Sequence, residues 1–251
     1  MQKLTAIIPT GNEEHNIEAV LESVSFADEV IVVDSYSTDR TVELASKHTN
    51  CILMREFDYP SSQKNWAIPQ ASNEWILLVD ADERITPELK AEIQGILASD
   101  PKEDGFWIYR QNHFMGQEVN YSGWQNDKVV RLFRKSTCRY EDKRVHEEIE
   151  VKDRKIGELK HKMLHYTYVS LDHYISKLNQ YAKWQAVDYQ NKVHKVNFSH
   201  LMLKPTFRFF KHFFIQKGYR DGVVGFIISY LQSYAVASRY IRLWLLQQEG
   251  K

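Results

Sequence analysis

Four consecutive apolar residues, Ile76-Leu77-Leu78-Val79, run directly into Asp80-Ala81-Asp82-Glu83. An unbroken apolar run of this length suits a strand buried on both faces of a parallel sheet. Charges have no place inside such a sheet. The strand is therefore expected to end at Asp80 and to present its acids at the carboxyl edge, where open α/β sheets bind ligands. On an extended backbone Asp80 and Asp82 would share one face. Paired hard oxygen donors beside a diphosphate are a means of holding Mg2+ or Mn2+. The competing reading is structural: a strand-end cap, or carboxylates solvating the turn before a helix opened by Thr86-Pro87-Glu88.

The same unit recurs through the first part of the chain. Leu4–Ile8 reads as a strand, and Asn12 as the cap of a helix whose face carries Ile17, Val20, Leu21 and Val24. Val30–Val33 is a second buried strand ending at Asp34, followed by a helix capped by Ser37 or Thr38 and running to Lys47. Cys51–Met54 is a short strand, a helix begins at Ser61 and stops at about Pro69, and Trp75–Val79 is the fourth strand. Strand–helix alternation implies a parallel sheet with right-handed crossovers.

From Gly105 to Tyr168 the pattern changes to aromatic or β-branched runs: Phe106–Tyr109, Val129–Phe133, Val145–Val151 and Leu159–Tyr168. Polar turns separate them, as in mixed or antiparallel strands. After Ser170 the periodicity is helical (Leu171, Ile175, Leu178, Tyr181, Ala182). Pro205 is expected to interrupt it, with further helices over Thr206–Gln216 and roughly Gly222–Gln248.

The formal net charge of the 251 residues is zero, but it is unevenly spread. Lys192–Lys251 holds ten Lys/Arg against two acids, a net of +8, and the preceding residues hold 23 against 31, or −8. A basic tail implies an anionic partner, and a membrane surface rather than nucleic acid is expected. Two cysteines, Cys51 and Cys138, suggest reduced thiols in the cytoplasm rather than a disulfide framework. The short apolar run at Leu4–Pro9 reads as a strand and not as a secretory leader. Neither G-x-G-x-x-G nor a P-loop pattern is present, so a dinucleotide fold of that kind and a P-loop NTPase are not supported. Without such a loop, phosphate charge must be met by metal and basic side chains.

Four motifs together carry a resemblance. Pro9-Thr10-x-Asn12-Glu13-Glu14, Val32-Val33-Asp34-Ser35-x-Ser37-x-Asp39, Gln63-Lys64-Asn65 and Leu78–Glu83, in this order and spacing, resemble the family 2 glycosyltransferases, inverting enzymes of the GT-A fold. Val130-Arg131-Leu132-Phe133-Arg134 and Val145-His146-Glu147 resemble the subset that builds bacterial lipopolysaccharide core, small core glucosyltransferases in particular. The resemblance implies an α/β fold with a mostly parallel central sheet flanked by helices. It implies a catalytic domain over 1–169, with a nucleotide part to about 100 and an acceptor part beyond it. A helical region over 170–251 follows.

By matching position, the resemblance implies that Pro9, Thr10, Asn12 and Glu13 line the nucleotide-sugar site. Asp34, with Ser35 and Ser37, falls near the base, and Lys64, Asp80 and Ala81 complete the donor site. Asp82 ligates the metal, Mg2+ or Mn2+, with Asp80 as a second acid. The family's catalytic base is an acid in a downstream acidic pair. Here Val145-His146-Glu147-Glu148 stands in its place, which makes Glu147 the first candidate and Asp127 the second.

Other residues keep two readings. Arg131 and Arg134 suit bidentate phosphate binding, or simply alternate on a strand. His146 is a metal ligand, an orienter of Glu147, or a strand residue. His161 and His165 are four apart in a stretch read as strand, so they are not expected to form a helical metal pair. Tyr121 and Trp124 either stack on an acceptor sugar or anchor their loop. The basic, aromatic tail either docks on the inner membrane face or packs within the protein or a homo-oligomer.

The expected reaction is metal-dependent transfer, with inversion, of a sugar from a nucleotide-diphosphate donor. UDP-hexose is expected on the prevalence of UDP among relatives. The acceptor would be a lipid-linked saccharide of lipopolysaccharide core or a related glycan, which places the enzyme in the cytoplasm at the inner membrane. The alternatives are a sugar nucleotidyltransferase, for which Gly11-Asn12-Glu13-Glu14 is too acidic to grip a triphosphate, and a non-catalytic membrane-surface protein.

Overall fold

The structure is a computed structural model describing residues 2–141, 149–151, 155–168 and 170–249. The chain forms two compact units, Met1–Gln111 with Asp127–His165, and Asn112–Asn126 with Tyr166–Lys251. The elements, in chain order, are β1 (Leu4–Thr10), α1 (Ile17–Ser23), β2 (Glu29–Asp34), α2 (Thr41–Ala45), β3 (Ile52–Met54), α3 (Pro60–Ala67) and β4 (Trp75–Leu78). Then come β5 (Glu83–Arg84), α4 (Pro87–Ala98), β6 (Gly105–Phe114), β7 (Gln117–Val119), β8 (Lys128–Arg134), β9 (Cys138–Tyr140), β10 (Ile149–Val151), β11 (Ile156–Glu158) and β12 (Met163–Tyr168). The last elements are α5 (Leu171–Asp188), α6 (Lys204–Phe210) and α7 (Gly222–Glu249).

In the first unit the strand order β3-β2-β1-β4 is wholly parallel, and β8 then pairs antiparallel with both β4 and β6. The uninterrupted apolar runs are explained by burial on both faces. Ala6, Ile8, Val32, Leu77 and Val79 belong to one apolar cluster, and the alternate residues Ile7, Ile31, Val33, Ile76 and Leu78 to another. Thr86 caps α4 by accepting from the Leu89 amide at 3.2 Å, and Pro87 follows it, so this helix starts where the sequence places it. Its apolar spacing of four sends Leu89, Ile93 and Leu97 into the core.

Two helix starts differ from expectation. Asn12 takes a left-handed conformation, φ +56°, and α1 opens only at Ile17. The second helix opens at Thr41, because Asp39 rather than Ser37 or Thr38 accepts the Thr41 amide, at 3.0 Å, and it ends by Ala45. In both cases the polar side chains join one loop to the next instead of capping. The expected strand Val145–Val151 is described only as β10, Ile149–Val151; the rest lies outside the described residues. The short strands β5, β7, β9 and β11 were below what alternation in the sequence could signal.

The second unit is built on α5 and α7. Ser170 caps α5 through the His173 amide at 3.2 Å, and Tyr174, Leu178, Ala182 and Ala186 are buried at intervals of four. Residues 112–126, expected with the catalytic domain, belong here. Phe114 packs edge-on against Tyr174 at 5.1 Å, and the Asp221 carboxylate accepts from the Asn120 and Tyr121 amides and the Ser122 hydroxyl. Pro205 does not break the helical run. A π-helical turn at Ser199–Leu203 precedes it and another follows at Lys211–Ile215. A proline lacks the amide and collides with the carbonyl four residues back, and a widened turn removes that conflict.

Candidate active site

Three loops at the carboxyl ends of β1, β2 and β4 frame a cavity of about 540 Å³. Pro9, Thr10, Asn12, Glu13, Ser35, Lys64, Asp80, Ala81 and Asp82 line it, so nine expected donor-site residues meet in one place. Phe57, Pro60 and Gln63 line it as well and were not singled out from the sequence. Gln63 stood beside Lys64 in a quoted motif, which was the available signal.

The first two loops are bound through their own polar residues. The Asn12 amide donates to Ser37 Oγ at 2.8 Å, and Asn12 Oδ1 accepts from the Thr38 amide at 2.8 Å. Asp39 accepts from the Glu14 amide at 3.1 Å and from the Thr41 hydroxyl at 2.5 Å. Asp34 is fully buried, and its carboxylate accepts from the Ser37 amide and hydroxyl at 2.7 and 2.5 Å. Asp34 and Ser37, expected near the base, therefore hold the turn itself and are not among the residues lining the cavity. Thr10 Oγ1 is buried at the cavity without a hydrogen-bond partner, an orphaned polar atom in the wall.

The chain turns at Asp80–Glu83, the Glu83 amide donating to the Asp80 carbonyl at 2.9 Å, so the two aspartates sit on a turn and not on an extended strand. Both carboxylate oxygens of Asp80 are engaged by cations of the protein. Its Oδ1 faces Lys64 Nζ at 3.3 Å and its Oδ2 accepts from Arg131 Nη2. Burial pushes the Asp80 carboxyl up, but Arg131, Lys64 and Arg110 outweigh it and hold the group well below the ordinary carboxylate range.

Arg131 is 3% exposed and grips Glu83 with two donors, Nε at 3.1 Å and Nη2 at 2.8 Å. Glu83 is 0% exposed and also receives Arg110 at 3.4 Å, while Arg110 holds Asp127 through two bonds of 2.6 and 3.0 Å. Lys64, Asp80, Arg131, Glu83, Arg110 and Asp127 thus form a chain of alternating charge. Burial opposes the charge on Arg131, but Asp80 and Glu83 raise its pKa well above the usual value. The phosphate reading of Arg131 is corrected accordingly: its guanidinium is spent on two carboxylates. Asp127, the second candidate base, is likewise engaged by a guanidinium, that of Arg110. Glu83 and Arg110 were missed because nothing in a sequence marks two distant residues as partners.

Arg134 lies elsewhere. It is opposite Trp75, the first residue of β4, and its guanidinium stacks on that indole at 4.5 Å and donates to the Pro101 carbonyl at 3.0 Å. The antiparallel register puts it at the edge of the sheet away from Asp80, so it does not join the donor site. Asp82 is half-buried, and its Oδ2 lies 3.5 Å from Nε2 of His165 on β12. The contact depends on β12 pairing antiparallel with β5, His165 opposite Glu83, which the spacing of residues along the chain does not reveal. A carboxylate on the turn after β4 and an imidazole on β12 offer a mixed oxygen–nitrogen pair of the kind that would suit Mn2+. Among the described residues no group of three His, Cys, Asp or Glu is placed to hold a metal ion. His146 and Glu147 lie outside the described residues.

Tyr121 and Trp124 belong to the second unit. Trp124 packs against Phe114 and Tyr168 at 6.3 and 6.1 Å, and the Tyr121 ring lies under Arg220 at 5.0 Å, as loop anchors would.

The sequence pattern described as glycosyl transferase family 2 matches residues 5–146. An uncharacterized glycosyltransferase of Rickettsia conorii is 30% identical over 99% of this chain and 91% of its own length. The lipopolysaccharide core biosynthesis glycosyltransferase LpsC of Rhizobium meliloti is 28% identical over 89% of this chain and 85% of its own. Among solved structures, S. aureus TarS 1–349 in complex with UDP aligns at 16% identity with a TM-score of 0.48, over 99% of this chain and 92% of that one.

Proposed function

Since the chain belongs to glycosyl transferase family 2 and is a glycosyltransferase of the GT-A fold, we propose that it moves a hexose, with inversion, from a UDP-sugar to a lipid-linked saccharide of lipopolysaccharide core or a related cell-surface glycan. The observation that carries this reading is the single cavity in which Thr10, Glu13, Lys64, Asp80 and Asp82 meet. The named relative LpsC supports the glycan class.

In this reading Thr10 Oγ1 and the turn locked by Asp34 receive the nucleoside. Asp82 and His165 would hold a divalent metal, which supplies positive charge to the departing diphosphate when bound. Asp80 does not serve as a ligand; pinned by Lys64 and Arg131, it shapes the floor on which the ribose and diphosphate lie. Glu147 takes the acceptor hydroxyl proton, a contribution of ~10²–10⁴ in rate. Catalysis requires no covalent intermediate, so no serine or cysteine nucleophile is assigned.

The deciding experiment incubates the protein with Mn2+ and a panel of nucleotide sugars with a core-oligosaccharide acceptor, and follows release of nucleoside diphosphate. UDP release that depends on both acceptor and Mn2+ is the expected result. Pyrophosphate release from a nucleoside triphosphate and sugar phosphate would instead identify a nucleotidyltransferase.

A further inference from the structure

Three cations gather on the second unit around two tyrosines. Lys204 Nζ lies 3.0 Å from Tyr240 Oη, and Arg239 stacks over Tyr240 at 4.7 Å and Tyr189 at 4.5 Å. Arg208 is near enough to Arg239 that its pKa is lowered, first by burial and then by that repulsion. Their polar partners are neutral: Gln185 for Arg239 at 3.0 Å, and His212 for Arg208 at 3.3 Å. Arg239 Nε is buried with no acceptor. Among the described residues no carboxylate pairs with any of the three. Clustering cations without a counter-charge is unfavourable unless an anion joins them.

Beside this cluster runs an exposed apolar stripe. Leu203, Phe207, Phe210 and Phe214 follow at i, i+4, i+7 and i+11 and are 62%, 62%, 52% and 48% exposed. Lys204 and Arg208, four apart on α6, each follow a residue of this stripe by one position, so these cations flank the apolar row. A soluble protein rarely exposes such a stripe without a partner for it. No helix among the described residues is long and apolar enough to cross a membrane.

We propose that this face docks on an anionic phospholipid surface, with the phenylalanines at the acyl boundary and Lys204, Arg208 and Arg239 binding headgroup phosphate. The proposal deepens the reading of a lipid-linked acceptor and rests on it. A net charge of +8 over residues 192–251 is complementary to such a surface. A second copy of the chain is a poorer occupant, because a two-fold interface would set these cations against their own copies.

The test is flotation of the full chain with vesicles of phosphatidylcholine alone, or with about one-third phosphatidylglycerol. Binding is expected only to the anionic vesicles, and it should weaken as salt rises. Lys204→Gln/Arg208→Gln/Arg239→Gln should weaken it about a hundredfold, and Phe207→Ser/Phe210→Ser should weaken it while leaving the salt dependence. Should the triple variant fail to fold, as judged by circular dichroism, Arg208→Gln alone and the wild-type salt titration decide. Equal binding to both vesicles, or none to anionic vesicles at low salt, overturns the proposal. So does self-association that is lost in the phenylalanine variant without any vesicle binding. Mn2+-dependent UDP binding without vesicles is measured in parallel; its failure strikes the donor-site reading and leaves docking standing.

Discussion

Glu83 and Asp82 are neighbours in sequence and face opposite demands. Glu83 is fully buried between Arg131 and Arg110, where its charge is the counter-charge for both. Glu83→Gln keeps the shape and leaves two buried guanidiniums underpaired. It is expected to cost about 3–5 kcal/mol of stability, read by urea unfolding. Asp82 is half-buried at the cavity, and Asp82→Ala is expected to leave the unfolding midpoint in place. Calorimetric titration with UDP should then show no gain on adding Mn2+, and transfer should vanish; near wild-type turnover in Mn2+ would remove Asp82 from the metal site. Asp127 and Glu147 separate in the same manner. Glu147→Gln should lose kcat while still binding donor, whereas Asp127→Asn should lose stability through Arg110. If Asp127→Asn instead binds donor normally, stays stable and loses turnover, the base has been misassigned.

At the scale of elements, the donor cavity depends on two loops that lack regular structure and bind one another. Asp39 alone receives the Glu14 amide, the Thr41 amide and the Thr41 hydroxyl. Asp39→Ala is expected to cost ~1–2 kcal/mol and to raise the donor KM more than it lowers kcat, because the loops lose their register and the chemical groups remain. Steady-state kinetics with varied donor measures the split. In the second unit, a Cβ on Gly225 of α7 would run into the backbone carbonyl of Gly218. Backbone cannot swing aside as a long side chain can, so Gly225→Ala should destabilise this unit by about 3 kcal/mol. An unchanged melting temperature would show that the Gly218–Asp221 turn yields.

Over the whole molecule, pH acts through groups that burial has shifted. Tyr174 is 1% exposed, and burial pushes its phenol up to about 12, against a smaller lowering from Gln232. Its folded pKa lies above the unfolded value near 10, so its contribution is complete below pH ~10 and is lost as pH rises toward 12. Wild type should therefore lose about 2–3 kcal/mol more than Tyr174→Phe across that window. Denaturant unfolding at both ends of the window measures the difference, and parallel pH profiles for the two proteins would count against it.

The parallel half of the sheet was legible in the sequence, since two-face burial requires unbroken apolar runs and Ile76–Val79, Val30–Val33 and Leu4–Ile8 provide them. That the polar residues after those strands gather at one edge was legible for the same reason: charge must leave the sheet there. The sequence could not say which carboxylates face ligand and which face protein. Asp80 and Asp34 read as binding groups and Asp127 as a candidate base, and tertiary structure joined them to Arg131 and Lys64, to Ser37, and to Arg110. It likewise brought His165 to Asp82 and carried Arg134 to the far edge. Burial follows from local pattern. Pairing of charges depends on register between strands distant in sequence, and only the folded chain sets that register.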